Sequence, residues 1–154
     1  MKNYMKLELL ALSENEGFAR SAVAAFALAL NPSLSELSDV KPAVSEAVTN
    51  CIVHAYKNRK SPEDKILLSC ETSKTDGVGE LHIKVTDYGC GIENVEEAMQ
   101  PFFTTLSPSE RAGMGFTIMQ AFCTEFFVES ERGKGTTVTM IKRISEGGKS
   151  EENA

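Results

Sequence analysis

Lys41-Pro-Ala-Val-Ser-Glu-Ala-Val-Thr-Asn-Cys-Ile-Val-His-Ala-Tyr56 is the stretch whose reading decides the fold of this chain. Val44, Val48, Cys51, Ile52 and Ala55 recur every three or four positions, which predicts a helix with one apolar face. Glu46 and Asn50 are spaced so that a helix projects both from the same side, one turn apart. A carboxylate and an amide therefore converge on one small volume, while Val44, Val48 and Ile52 form the packed stripe opposite. The periodicity extends back through Val40 and Leu37 to about Leu34, and Pro42 interrupts it. Either the helix begins near Ser35 and loses an internal hydrogen bond at the proline, or it begins afresh near Lys41, where proline suits the first turn.

Upstream, Met5 to Leu12 has the alternation of a strand, and Ser13 with Glu16 has the spacing of a capping box. The helix that follows carries Phe18, Ala22, Val23, Phe26 and Leu30 on its apolar side and ends at Asn31-Pro32. Downstream, a polar loop from Lys57 to Asp64 leads to strands around Ile66 to Cys70 and Leu81 to Val85, joined by a loop, Thr72 to Gly79, that reads as longer than a tight hairpin turn. The second of these strands delivers Asp87-Tyr-Gly-Cys-Gly91, a carboxylate at a strand end beside Gly89 and Gly91, where backbone can approach a flat ligand closely. A short helix is expected around Val95 to Met99, then a Pro/Ser/Thr-rich segment from Pro101 to Ala112 of a length that suits a lid. Gly113-Met114-Gly115 opens an apolar helix reaching about Cys123, and its free amides form a natural phosphate cradle. Strands Phe126 to Glu131 and Thr136 to Ile141 close the chain around the turn Arg132-Gly-Lys-Gly135. Helices early and antiparallel strand pairs late predict an α+β two-layer sandwich, a mostly antiparallel sheet covered on one face by helices, with ligand between the layers. Residues 1–144 form the domain, and 145–154 read as a disordered tail.

With 154 residues, 42% of them hydrophobic, the chain suits one domain with a real core. Sixteen Lys and Arg against 22 Asp and Glu give a net charge of −6 with no basic run, which argues against a nucleic-acid partner. Cys51, Cys70, Cys90 and Cys123 show no CxxC pair, and no signal, lipidation motif or membrane-length apolar run accompanies them. A cytoplasmic protein with reduced, mostly buried thiols is expected, without a Cys/His zinc site and without membrane attachment. Gly148-Lys149-Ser150 ends like a phosphate loop, but the first glycine of that motif would fall at Arg143 and no helix can follow.

Each motif alone is weak; their order is specific. Glu-x-x-x-Asn on a helix, Asp-x-Gly-x-Gly after a strand, a lid, Gly-x-Gly before a helix and then Gly135-Thr-Thr137 resembles the ATPase superfamily shared by gyrase, heat-shock chaperone ATPases, histidine kinases and mismatch-repair ATPases. Longer segments are similar to the sporulation anti-sigma F factors: Ala11-Leu-Ser13, Glu16-x-Phe-Ala-Arg20, Val44 to Asn50, Glu96-Glu-Ala98, Gln100-Pro101 with Phe103-Thr104-Thr105, and Gly113-Met-Gly-Phe-Thr-Ile-Met119. That resemblance implies a histidine-kinase-like ATPase fold and a homodimeric serine/threonine protein kinase. It would hold a sigma F type factor inactive and phosphorylate a serine of an anti-anti-sigma protein, with ATP/ADP and Mg²⁺ as cofactors.

Carried onto matching positions, the resemblance makes Glu46 the general base, Asn50 the magnesium ligand and Arg111 the lid cation for the γ-phosphate. Asp87 would accept from the adenine amine with Thr137 in support. Gly89, Gly91, Thr104, Thr105, Gly113, Met114 and Gly115 would line the nucleotide. Arg20, Glu16 and Thr49 would meet protein partners, and His54 would flank the same helix face. The alternatives are a stress-response anti-sigma B type kinase, a histidine-kinase catalytic domain, and an ATP-dependent sigma-binding switch without significant kinase activity. The chain has no room for a separate phosphoacceptor helix pair, which counts against the histidine kinase.

Overall fold

The computed structural model describes residues 2–100 and 115–145. In chain order the elements are β1 (Asn3–Leu10), α1 (Glu14–Ala27) running into a 3-10 turn (Leu28–Leu30), α2 (Leu34–Asn50) running into a π-helical turn (Cys51–Ala55), β2 (Lys65–Thr75), β3 (Val78–Asp87), α3 (Val95–Ala98), α4 (Gly115–Phe122), β4 (Glu125–Glu131) and β5 (Gly135–Ser145). The five strands form one sheet in the order β1-β2-β3-β5-β4. Every described pairing is antiparallel. The expected α+β sandwich is therefore what forms, and a short helix stands near Val95 as anticipated.

Side-chain alternation sets the layers. Ile66, Leu68 and Cys70 of β2, Leu81, Ile83 and Val85 of β3, and Val138 and Met140 of β5 point to one face and are buried beneath the helices. From above, α2 lays down Val40, Val44, Val48 and Ile52, with Val23 of α1 and Met119 of α4 beside them. Burying each such aliphatic side chain contributes roughly 1.5–3 kcal/mol. Lys142 of β5 reinforces the contact through a 2.9 Å ion pair to Asp39 of α2.

Three local expectations change. The capping box forms at α2, where the Ser33 hydroxyl accepts from the Glu36 amide at 3.0 Å and Glu36 Oε1 accepts from the Ser33 amide at 2.9 Å. At α1, Ser13 makes no side-chain cap, because its backbone is already helical and its hydroxyl cannot fold back over the first amides. Thr72 to Gly79 is not a long loop. The strands continue to Thr75 and from Val78, around the two-residue turn Asp76-Gly77 with φ of 53° and 79°. Asp-Gly is the residue pair such mirror-image turns favour, but the polar flanks hid the strand alternation. Ser145, assigned to the tail, ends β5, with its amide donating to Glu36 Oε2 at 3.0 Å. Residues 146–154 lie outside the described residues.

Of the two alternatives for Pro42, the structure takes the first: α2 starts at Leu34 and carries the proline inside it. Ser38, four residues earlier, thereby loses its usual amide donor. The helix then widens at its far end, where the Tyr56 amide donates to the Cys51 carbonyl at 3.0 Å, a π-type bond.

Candidate active site

A cleft of about 770 Å³ opens between α2 and the sheet. The helix supplies Ala47, Asn50, Cys51 and His54 to one wall. The sheet supplies Val85, Asp87, Thr136 and Val138 to the floor, and the segment from Cys90 to Ala98 with Gly115 and Phe116 of α4 forms the rest.

Asp87 anchors the floor. It is the last residue of β3 and 5% exposed. Its Oδ1 accepts from the Gly89 amide at 3.0 Å and the Thr136 amide at 3.2 Å. Two donors on one oxygen fix the plane of the carboxylate. Burial pushes the Asp87 carboxyl above its ordinary value, opposed by the Gly89 amide, the Cys51 thiol and the Thr136 amide. The group is thus a pre-oriented acceptor inside a partly dry cleft.

The glycines act mainly on backbone packing. A side chain at Gly89 would place Cβ 2.4 Å from the Ala55 carbonyl oxygen, so the loop lies directly on the end of the π turn. At Gly91 the φ of +74° and a Cβ 2.2 Å from the Glu131 carbonyl oxygen both require glycine. Gly91 lines the cleft, whereas Gly89 supports it from behind.

Asn50 faces the cleft as expected. Glu46 lies one turn earlier on the same helix, partly buried and not among the cleft-lining residues. Thr49 also stands outside the lining, and His54 is part of it. Thr137 requires a correction: strand alternation turns it to the opposite face of the sheet, where its hydroxyl pairs with that of Thr86 at 3.1 Å. Thr136, its neighbour, is the threonine on the cleft floor, opposite Asp87 in the β3–β5 register. The alternation of β5 in the sequence held that signal, since Thr136, Val138 and Met140 share one face.

Gly115 begins α4 buried at the cleft wall. Thr104, Thr105, Arg111, Gly113 and Met114 lie outside the described residues. Sequence reasoning also missed Cys51, whose apolar spacing assigned it to the core, yet it lines the cleft beside Asp87. Of the cysteines, Cys51 and Cys70 are buried as expected, but Cys90 is exposed at the cleft rim. Burial pushes the Cys70 and Cys123 thiols up to about 12 and about 11, so both stay protonated.

Arg20 on α1 pairs with Glu16 at 3.1 Å and reaches Ser45 Oγ on α2 at 3.3 Å. Arg20, Glu16 and Ser45 therefore form one polar patch between α1 and α2.

A family model described as the histidine kinase-like ATPase domain matches residues 10–142. An anti-sigma F factor of Caldanaerobacter subterraneus is 52% identical over 142 residues, covering 92% of this chain and 94% of the relative. The chain belongs to the anti-sigma F factors, within the histidine kinase-like ATPase domain family. Anti-sigma F factors of Geobacillus thermodenitrificans and Clostridium acetobutylicum are 50% and 48% identical over 145 residues, each covering 94% of this chain and 95% and 96% of the relative. Among solved structures, the RsbU and RsbW domains of a Mycobacterium tuberculosis protein superpose with a TM-score of 0.61 at 18% identity, over 94% of this chain. The chain spans about a third (34%) of that longer one, and the likeness concerns the fold.

For an anti-sigma F factor the cleft has a fitting donor set. Asn50 offers a hard amide oxygen, and among the described residues no three His, Cys, Asp or Glu side chains cluster to hold a metal on their own. Such a site suits a magnesium ion that arrives with nucleotide phosphates. No helix among the described residues is long and apolar enough to cross a membrane.

Proposed function

We propose that this chain is an ATP-dependent anti-sigma kinase that binds a sporulation sigma factor of the F type and phosphorylates a serine of the anti-anti-sigma antagonist. The observation that carries the reading is Asp87, held by two backbone amides at the floor of a cleft whose opposite wall presents Asn50. In this reading the adenine amine donates to the Asp87 carboxylate, and Thr136 replaces Thr137 as the supporting hydroxyl. Asn50 would hold Mg²⁺, which neutralises charge on the phosphates when bound. The amide of Gly115, which begins α4, would receive the phosphate chain together with Thr104, Thr105, Arg111, Gly113 and Met114.

Glu46, one turn from Asn50, is the proposed base for the substrate serine. A serine hydroxyl needs a positioned acceptor for its proton, and Glu46, one turn before Asn50 and partly buried, would supply it from outside the nucleotide cleft. Its place outside the cleft lining agrees with that role. Arg20 and Glu16, with Thr49, would form the contact for sigma factor and antagonist, on a homodimer. Incubation with labelled ATP and the cognate anti-anti-sigma protein is expected to yield phosphoserine. An intact Glu46→Ala protein should bind ATP normally and lose transfer by about 100-fold or more. Wild-type transfer by that variant would remove Glu46 as the base.

A further inference from the structure

The acceptor loop from Tyr88 to Ile92 has no regular structure of its own, yet the ligand reading requires Asp87 to be held still. The Tyr56 side chain, immediately after the π turn, is 3% exposed and places its hydroxyl between two backbone segments. That hydroxyl accepts from the Tyr88 amide at 2.7 Å and donates to the Lys65 carbonyl at 2.5 Å. Ile66 and Asp87 are the last paired residues of β2 and β3, so Lys65 and Tyr88 are the next pair outward. The phenol oxygen therefore stands where a further rung of the ladder would begin, bridging an amide and a carbonyl that no longer meet directly. Burial raises the phenol above its ordinary value and keeps it protonated, able to donate and accept at once.

Neighbouring contacts point the same way. The Ala55 carbonyl accepts from the Cys90 amide at 3.2 Å, and Gly89 packs against that same carbonyl. The π turn and the residue after it thus set the height of the whole loop, and the Tyr56 hydroxyl holds the amide of Tyr88, the residue that follows Asp87.

We propose that Tyr56 is a positioning residue for adenine recognition: its hydroxyl sets where Asp87 stands and thereby sets preference for a purine carrying an exocyclic amine. The inference rests on the reading that this amine meets Asp87. Tyr56→Phe keeps the ring in the core and removes only the bridging oxygen. Calorimetric titration of wild type and variant with ATP, and with purine riboside triphosphate, which lacks the amine, separates local from general effects. ATP affinity is expected to fall about tenfold in the variant, while affinity for the amine-free nucleotide changes less than about twofold. Equal losses on both nucleotides, or no loss on ATP, would overturn the proposal. Wild-type protein that binds both nucleotides alike would instead remove the Asp87–amine reading itself.

Should Tyr56→Phe fail to fold, the wild-type chain supplies the test through amide exchange. ATP is expected to slow exchange at the Tyr88 amide severalfold more than purine riboside triphosphate does. Equal protection by the two would overturn the role.

Discussion

Asp87 carries the site at the scale of a single residue, and its burial has two consequences of opposite direction. As an acceptor it gains strength from the dry surroundings; as a buried charge it costs stability. Because its carboxyl is raised above the ordinary value, the folded protein holds an extra proton between the unfolded and folded pKa. Stability from this group is full below the unfolded pKa and is lost as pH rises through the folded one. Asp87→Asn is therefore expected to melt no lower than wild type at neutral pH and to lack that slope in thermal scans from mildly acidic pH upward. On the proposed pairing of Asp87 with the adenine amine, the same variant should bind ATP about 10–100-fold more weakly by calorimetry, since an amide would offer that amine a competing donor where a carboxylate offers only acceptors. Gly91→Ala strains a backbone held at φ +74° and drives a methyl group into the Glu131 carbonyl. Denaturant unfolding should show a loss of about 1–3 kcal/mol from the backbone conformation alone.

At the scale of the element, α2 joins the two functions of the chain: one face builds the core and the other presents Asn50 and Glu46. Its start is secured by the Ser33–Glu36 capping box, and Ser33→Ala should cost about 1 kcal/mol in chemical denaturation. Ser13→Ala, at the start of α1, should change stability by less than about 0.5 kcal/mol, because Ser13 makes no side-chain cap. The contrast was not legible beforehand. Ser13 and Ser33 each have a glutamate three residues on, and only the backbone angle at the cap, −31° against 165° in ψ, decides which hydroxyl can reach. The Pro42 alternatives were equally undecidable locally, since the core residues on both sides of the proline favour one continuous helix.

For the whole molecule, the cleft is the gap between two layers, so ligand bridges helix and sheet and should stabilise both together. At a free ATP concentration of 100 times its dissociation constant, the added stability is about 2.7 kcal/mol. With Mg²⁺ chelated, the thermal shift produced by ATP should shrink, and an Asn50→Ala variant should show the smaller shift with or without the metal. An equal shift in wild type under both conditions would argue against Asn50 as a magnesium ligand.

The Glu46–Asn50 spacing, the Asp87 strand end and the glycines at 89 and 91 were readable in the sequence because each depends on local periodicity or on the conformational habits of one residue type. So were the strand alternations that make a sheet with one apolar face. The alternation of Thr136, Val138 and Met140 put Thr136 rather than Thr137 on the apolar face, but that Thr136 stands opposite Asp87 was decided by the β3–β5 register. The thiol of Cys51 and the hydroxyl of Tyr56 lie beside or behind the acceptor only because a π turn ends α2 against the loop after β3. Chemistry carried by neighbours in the chain was visible locally; chemistry assembled from segments distant in the chain was decided by packing.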